Sequence, residues 1–112
     1  MRRVEVITRS SKVEAVRDLL ARVGVDGMTV TEVRGFGRQK GHSELYRGTE
    51  YSISFQAKVR IEIIVEDPRA PALIEELRRA TWSGKIGDGK IFVTPVDDAI
   101  RIRTGERGYD AL

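Results

Sequence analysis

The sequence has no cysteine, a single histidine and no long apolar run among its 112 residues. Without cysteine the chain can form no disulfide framework, thiol nucleophile or thiolate metal site. His42 alone cannot build a multi-histidine metal cage within one subunit. The apolar runs fall far short of the roughly 18 residues that a membrane span needs, and the first residues lack the apolar stretch of a secretory signal. The sequence therefore predicts a soluble, cytoplasmic protein with no membrane insertion.

The chain has enough apolar residues for a hydrophobic core and only a mild excess of positive charge. Its length fits one domain, and 40% of its residues are apolar. Twenty Lys and Arg against seventeen Asp and Glu give a net charge of +3, and residues 34–60 hold six basic but only two acidic residues. This excess suits a small phosphorylated or carboxylate ligand, since a nucleic-acid groove needs a denser basic stripe.

The hydrophobic pattern predicts two βαβ halves joined by a long loop. Apolar residues at helical spacing predict one helix from Val13 to Val23, with a Ser11–Glu14 capping box and a stop at Gly24, and a second that starts near Pro68 and Pro71. Alternating and β-branched residues predict strands at Val4–Thr8, Thr29–Val33, Val59–Val65 and Lys90–Thr94, and a short extended tail at Ala99–Arg103.

This element order is typical of an α+β, ferredoxin-like βαββαβ sandwich. In that plan an antiparallel four-stranded sheet carries both helices on one face. The other sheet face is left uncovered, which favours an oligomer. Connections as long as the one near residues 36–54 are uncommon in compact domains unless they have a function or are disordered.

The glycine-rich segment Gly84–Lys90 is the clearest candidate site. Its three glycines let backbone N–H groups turn toward one point, and its two lysines add positive charge, which favours anion binding. Ile91 stands where a P-loop needs a hydroxyl ligand for magnesium, and a strand follows instead of a helix. The sequence predicts phosphate binding without hydrolysis, and a plain glycine-rich connection into a strand is the alternative.

Two arginines near the end of the chain are a second candidate. Arg101 and Arg103 are two apart in a predicted extended stretch, so both guanidinium groups would point the same way and suit a polyphosphate. The alternative is two solvent-facing arginines on either side of a buried Ile102. Elsewhere, Trp82 is predicted to pack at the end of the second helix, and Tyr51 to anchor a partner or accept a covalent group.

Three ordered motifs resemble the PII nitrogen-regulatory signal-transduction proteins. Residues 35–51 resemble that family's T-loop, residues 83–93 its B-loop, and residues 101–106 its C-terminal loop. The resemblance implies a single PII-like domain over residues 1–112, a homotrimer, a mobile T-loop at about 36–54, a B-loop at 82–90 and a C-terminal loop at 101–108. The first loop departs from the family at Arg9–Lys12, and Ser83 and Trp82 depart beside the B-loop.

The resemblance also implies a set of effectors and binding residues. ATP or ADP would lie between subunits, with the two arginines supplied by the neighbour of the subunit whose B-loop holds the phosphates. The resemblance implies that Thr29, Glu62 and Ile64 hold the adenine edge. The implied nucleotide-binding residues are Thr29, Gly37, Arg38, Gln39, Glu62, Ile64, Gly87, Asp88, Gly89, Lys90, Arg101 and Arg103. The implied 2-oxoglutarate-binding residues are Gln39, Lys40, Gly41, Lys58, Ile86 and Gly87, and Gln39 would also ligate Mg²⁺.

The function implied is that of a regulator and not of an enzyme. Arg47 matches the residue that plugs an ammonium channel, and Tyr51 matches a tyrosine that is uridylylated or adenylylated in many members. The loop would signal to ammonium transporters, nucleotidyltransferases or transcription regulators. Two other functions are alternatives: an ATP-hydrolysing enzyme built on the Gly84–Lys90 loop, and an RNA-binding ferredoxin-like module, against which the missing sheet aromatics argue.

Overall fold

The computed structural model describes residues 1–37 and 55–112, and the elements within them follow the predicted order. Short 3₁₀ turns precede both helices and lie near the end of the chain. The strands are β1 (Arg2–Thr8), β2 (Thr29–Gly35), β3 (Gln56–Val65) and β4 (Lys90–Pro95), and the helices are α1 (Val13–Val23) and α2 (Ala70–Thr81). The strands and helices predicted from the sequence are confirmed.

The four strands form one antiparallel sheet in the order β2-β3-β1-β4. Val6 of β1 lies opposite Ile61 of β3 on one side and Ile91 of β4 on the other. Both helices pack on the face that carries these apolar side chains. The predicted α+β, ferredoxin-like βαββαβ sandwich is confirmed.

The core lies between the helices and one sheet face. Alternation along β3 buries its apolar residues and leaves Lys58, Arg60 and Glu62 partly exposed on the opposite face. Full burial of each large aliphatic side chain contributes about 1.5–3 kcal/mol. The buried core consists of Val4, Val6, Val16, Leu19, Leu20, Val59, Ile61, Ile63, Val65, Ala70, Leu73 and Leu77.

The predicted capping box at the start of α1 is wrong. Ser10–Lys12 forms a 3₁₀ turn, so Ser11 lies inside that turn and Lys12 takes the N-cap position, where no side-chain cap forms. The predicted stop is confirmed, because Gly24 adopts φ 76° and its N–H donates to the carbonyl of Ala21.

The predicted extended tail at Ala99–Arg103 is also wrong. The chain reverses there: the N–H of Arg101 donates to the carbonyl of Glu106 at 2.9 Å, and the N–H of Gly105 donates to that of Arg101 at 2.7 Å. The left-handed conformation of Gly105, with φ 77°, permits this tight reversal. Arg101 and Arg103 therefore do not share one face of a strand, and Ile102 is fully exposed and not buried.

Candidate functional site

The B-loop joins α2 to β4 and rests on the end of β1. Gly84, Gly87 and Gly89 have φ values of 83°, 103° and 102°, a region that L side chains rarely adopt. A Cβ atom at Gly89 would lie 1.7 Å from the carbonyl oxygen of Ile7. Since no side chain fits there, this glycine lets the loop enter β4 in direct contact with β1.

Asp88 holds the B-loop in shape from within. Its carboxylate accepts hydrogen bonds from the N–H groups of Ser83 at 2.8 Å and Gly84 at 2.9 Å, and from the Ser83 hydroxyl. These bonds, together with one from Arg9, hold the pKa of the Asp88 carboxyl well below its usual range. The side chain of Asp88 is thus ionised and directed into the loop. Because a carboxylate repels anions, Asp88 could contribute to an anion site only through its backbone.

Arg9 is a part of this site that the sequence analysis missed. Its guanidinium lies 2.5 Å from the Asp88 carboxylate and donates to the carbonyl of Ile86 at 2.8 Å. Next to it, the buried Thr8 donates its hydroxyl to the carbonyl of Asp88 at 2.8 Å. The signal in the sequence was a basic residue directly after β1. Arg9 and Asp88 are 79 positions apart in the sequence, and only the fold brings them into contact.

Lys58 approaches the same loop from β3. Its ammonium donates to the carbonyl of Gly87 at 2.5 Å. Burial, and then the nearby charge of Arg9, lower the pKa of Lys58 from its ordinary value. Two cations therefore converge on the segment that contains Ile86 and Gly87, and a bound carboxylate or phosphate would relieve the repulsion between them. Of the residues predicted for 2-oxoglutarate, the structure brings Lys58, Ile86 and Gly87 together.

A second cluster lies further along the sheet, where β2 begins and β3 ends. Thr29 and Glu62 are cross-strand partners in β2 and β3, and with Ile64 they line a cavity of about 410 Å³. The end of the chain closes one side of this cavity through Leu112, whose backbone oxygen accepts a hydrogen bond from Arg101 at 3.0 Å. The three residues predicted to hold the adenine edge are thus grouped, and Arg101 lies beside them.

The two clusters do not meet within one chain. Thr29 is on β2 and Lys90 on β4, the two edge strands of the sheet. Three strand spacings of about 4.8 Å place these edges roughly 14 Å apart. A nucleotide with its phosphates at Lys90 would have to cross the width of the sheet to reach the Thr29 cavity of the same chain, whereas the cavity of a second copy could lie beside Lys90.

Two predicted phosphate ligands are available for an anion. Lys90 and Arg103 are exposed, and neither side chain makes a hydrogen bond or ion pair to any residue that the structure describes. Trp82 was predicted to pack, but 61% of its surface is exposed. Its ring covers Gly84, since a Cβ atom added to Gly84 would lie 3.0 Å from the Trp82 ring.

Several predicted residues lie outside the described residues, so that their roles stay predictions. Gly37, the last residue before that segment, follows the end of β2. Within residues 1–37 and 55–112, no group of three or more His, Asp or Glu side chains could hold a metal, and no helix is long and apolar enough to cross a membrane. The residues outside are Arg38, Gln39, Lys40, Gly41, Arg47 and Tyr51.

The fold and the site define a ferredoxin-like domain with a glycine-rich loop flanked by Arg9 and Lys58. The chain matches the family model of "Nitrogen regulatory protein P-II" over residues 1–106. It belongs to this family of nitrogen-regulatory signal transducers. Proteins of the same name from Azospirillum brasilense and Pasteurella multocida are 53% and 54% identical to it over 112 residues, covering all of both chains.

Two solved structures share the fold. Arabidopsis thaliana PII bound to citrate has a TM-score of 0.82 and 40% identity, covering 99% of this chain and 91% of that one. Bacillus subtilis GlnK also has a TM-score of 0.82, with 39% identity and coverage of 99% and 97%. Since the full-length relatives are named as regulatory proteins, the chain is a regulator and not an enzyme, which confirms that prediction.

Proposed function

We propose that this P-II chain is a cytoplasmic homotrimeric sensor that binds ATP or ADP, and 2-oxoglutarate with Mg²⁺, in clefts between its subunits. The observation that carries the proposal is the division of the predicted ligands into two clusters: the B-loop with Lys90 at the start of edge strand β4, and the cavity with Thr29 at the start of edge strand β2. Each cluster is half of a nucleotide site. Pairing the B-loop of one subunit with the cavity and Arg101 of the next would complete it.

The B-loop supports phosphate binding through its preformed shape. The internal bonds of Asp88 hold the turns at Gly87 and Gly89. The ammonium of Lys90 makes no bond to the residues that the structure describes, so it can bind a phosphate. Each charge-assisted contact contributes about 1.5–3 kcal/mol. A few of them, with arginines from the neighbour, reach the roughly −8 kcal/mol of micromolar binding.

The convergence of Arg9 and Lys58 supports a carboxylate site beside the phosphates. An anion between them would be held by two cations. The Arabidopsis relative bound to citrate indicates that this fold accepts a polycarboxylate. By the resemblance, Gln39, Lys40 and Gly41 would complete the pocket, and Gln39 would bind Mg²⁺. The ion would supply charge neutralisation between the triphosphate and the 2-oxoacid.

The exposed sheet face supports the trimer and argues against RNA. Phe92 of β4 is 47% exposed on this face, opposite Glu5 of β1, and a neighbouring subunit would cover it. An RNA-binding sheet stacks two or three bases on aromatics. Among the described strands, Phe92 is the only aromatic residue, so the proposal includes no nucleic-acid partner.

The output is proposed to run through the T-loop. Arg47 and Tyr51 would contact an ammonium transporter or another nitrogen-regulation protein such as a nucleotidyltransferase or a transcription regulator, and Tyr51 would be the residue that is modified. This part rests on the family membership and on the motif. Because 2-oxoglutarate would bind at the base of that loop, nucleotide and acid would be coupled, by about 1–3 kcal/mol in typical cases.

Calorimetry on the full chain tests the proposal. We expect a trimer by light scattering, ATP binding in the micromolar range, and 2-oxoglutarate binding only with Mg-ATP present. Lys90→Ala should abolish most ATP binding, whereas Lys85→Ala, in the same loop and also exposed, should change it little. A monomer that binds no nucleotide, or tight binding of the acid without nucleotide, would contradict the proposed function.

A further inference from the structure

The last six residues form a part of the structure to which the sequence analysis gave no role. The segment Arg107–Leu112, here called the tail segment, contains the 3₁₀ turn Gly108–Ala111. Within it, Tyr109 and Leu112 line the same cavity of about 410 Å³ as Thr29 and Glu62. The tail segment therefore lies where the base of a nucleotide is proposed to bind.

The tail segment is held by contacts at the start of its turn. The hydroxyl of Tyr109 accepts a hydrogen bond from the N–H of Asp67 at 3.3 Å, at the start of the turn before α2. On the other side, Arg107 is bound to the Asp98 carboxylate at 2.5 Å, and the N–H of Gly108 donates to the carbonyl of Ala99 at 2.9 Å. These contacts place the Tyr109 ring at the edge of the cavity.

The tail segment forms a wall of the cavity and does not fill it. The cavity persists with Tyr109 in place, and its volume is within the range of about 300–1,000 Å³ typical of small-molecule pockets. Met28 and Ile64 add apolar surface to its lining, while Thr29 and Glu62 add hydrogen-bonding groups. An aromatic ring beside a few polar groups suits a flat heteroaromatic base, which stacks on such rings.

We propose that Tyr109 is a specificity-determining residue of the nucleotide site, with its ring forming the wall against which the base packs. This inference rests on the proposed function. Tyr109 acts on the base, whereas Arg101, held by the backbone oxygen of Leu112, acts on the phosphates. Loss of the ring should therefore weaken binding of a nucleoside triphosphate and spare that of inorganic tripolyphosphate.

The test compares three variants of the full-length chain by calorimetry with ATP and with tripolyphosphate. Tyr109→Ala should weaken ATP binding about tenfold, which is within the range of one lost stacking contact, and change tripolyphosphate binding less than about twofold. Tyr109→Phe keeps the ring and loses only the bond from Asp67, so it should restore most of the ATP affinity. Asp110→Asn, in the same turn but not in the cavity lining, is the matched control.

The outcomes separate this inference from the proposed function. Equal ATP affinity in Tyr109→Ala and the wild type would overturn the inference alone. Equal loss of ATP and tripolyphosphate binding would also overturn it, because the residue would then act through Arg101 or through the fold. A wild-type chain that binds neither ligand would overturn the proposed function, and the inference with it.

Discussion

The B-loop and the tail segment hold the two halves of the proposed site in different ways. The B-loop is tied to the sheet by partly buried contacts: the hydroxyl of the buried Thr8 and the guanidinium of Arg9 bind Asp88, and the ammonium of Lys58 binds the carbonyl of Gly87. The tail segment is held by exposed contacts, namely Arg107 to Asp98 and the N–H of Asp67 to Tyr109.

This difference indicates a rigid phosphate end and an adjustable base end. Contacts that are shielded from water are harder to open locally than exposed ones. A preformed loop loses little entropy when it binds phosphate. An exposed tail can shift its position around a base, so that affinity for phosphate and selectivity for the base can be changed separately. The four predictions below test this contrast, from the largest expected effect to the smallest.

Gly89→Ala should have the largest effect. The new Cβ atom would overlap the carbonyl of Ile7, and φ 102° is strained for alanine. We expect the free energy of unfolding to fall by about 3 kcal/mol or more, with loss of ATP binding. Gly105→Ala is the control: φ is 77°, but no described atom lies within 4 Å, so the cost should be about 1 kcal/mol. Equal urea midpoints for the two variants would contradict a tightly packed B-loop.

Arg9→Ala should weaken ATP binding about tenfold, because the B-loop loses a charge-assisted contact to Asp88 and a bond to Ile86. Arg9→Lys should have an intermediate effect, since an ammonium cannot make both contacts of the guanidinium fork. Calorimetry measures both variants, and Arg22→Ala on α1, away from the loop, is the control. An unchanged affinity would show that the loop holds its shape without Arg9.

Asp88→Asn should change the response of stability to acid. The pKa of Asp88 is lower in the folded chain than the 3.8 of an unperturbed carboxyl, so ionised Asp88 stabilises the fold above about pH 4. That contribution is lost as the pH falls through the folded-state value. We expect the wild type to lose stability more steeply than Asp88→Asn below pH 4 in urea titrations. Asp110 is exposed and its side chain makes no bond to the described residues, so Asp110→Asn should lose stability below pH 4 as steeply as the wild type.

Arg107→Ala should have the smallest effect. Its ion pair with Asp98 is exposed, and exposed pairs add little to global stability. We expect an unchanged melting temperature but faster hydrogen exchange at the N–H of Gly108, which is bonded to the carbonyl of Ala99. Exchange at the N–H of Asp88, in the B-loop, should stay the same and serves as the internal control. A large drop in melting temperature would contradict the weak attachment of the tail segment.

Local patterns predicted the helices and strands well, but they predicted the cap of α1 and the conformation of the chain after β4 poorly. Alternation in Val59–Val65 and helical spacing from Val13 to Val23 set the strands, the helices and the buried face. The capping box at Ser11 and the extended tail at Ala99–Arg103 were wrong. A serine followed by a glutamate fits a 3₁₀ turn as well as an N-cap, and a run of alternating residues does not reveal the reversal between Arg101 and Glu106.

The sequence by itself determined the element order, the core face and the glycine loop, because these depend on periodicity and on the conformational freedom of glycine. Only the tertiary structure decided that Arg9 and Lys58 meet at the B-loop, that Asp88 faces inward, and that Tyr109 closes the cavity beside Thr29. The physical reason is that Lys58 and Arg9 bind B-loop residues 29 and 79 positions away, and the packing of sheet and helices decides whether residues so far apart in sequence meet. Ser83 and Gly84 are near Asp88 in sequence, but their bonds to its carboxylate form only in the folded turn.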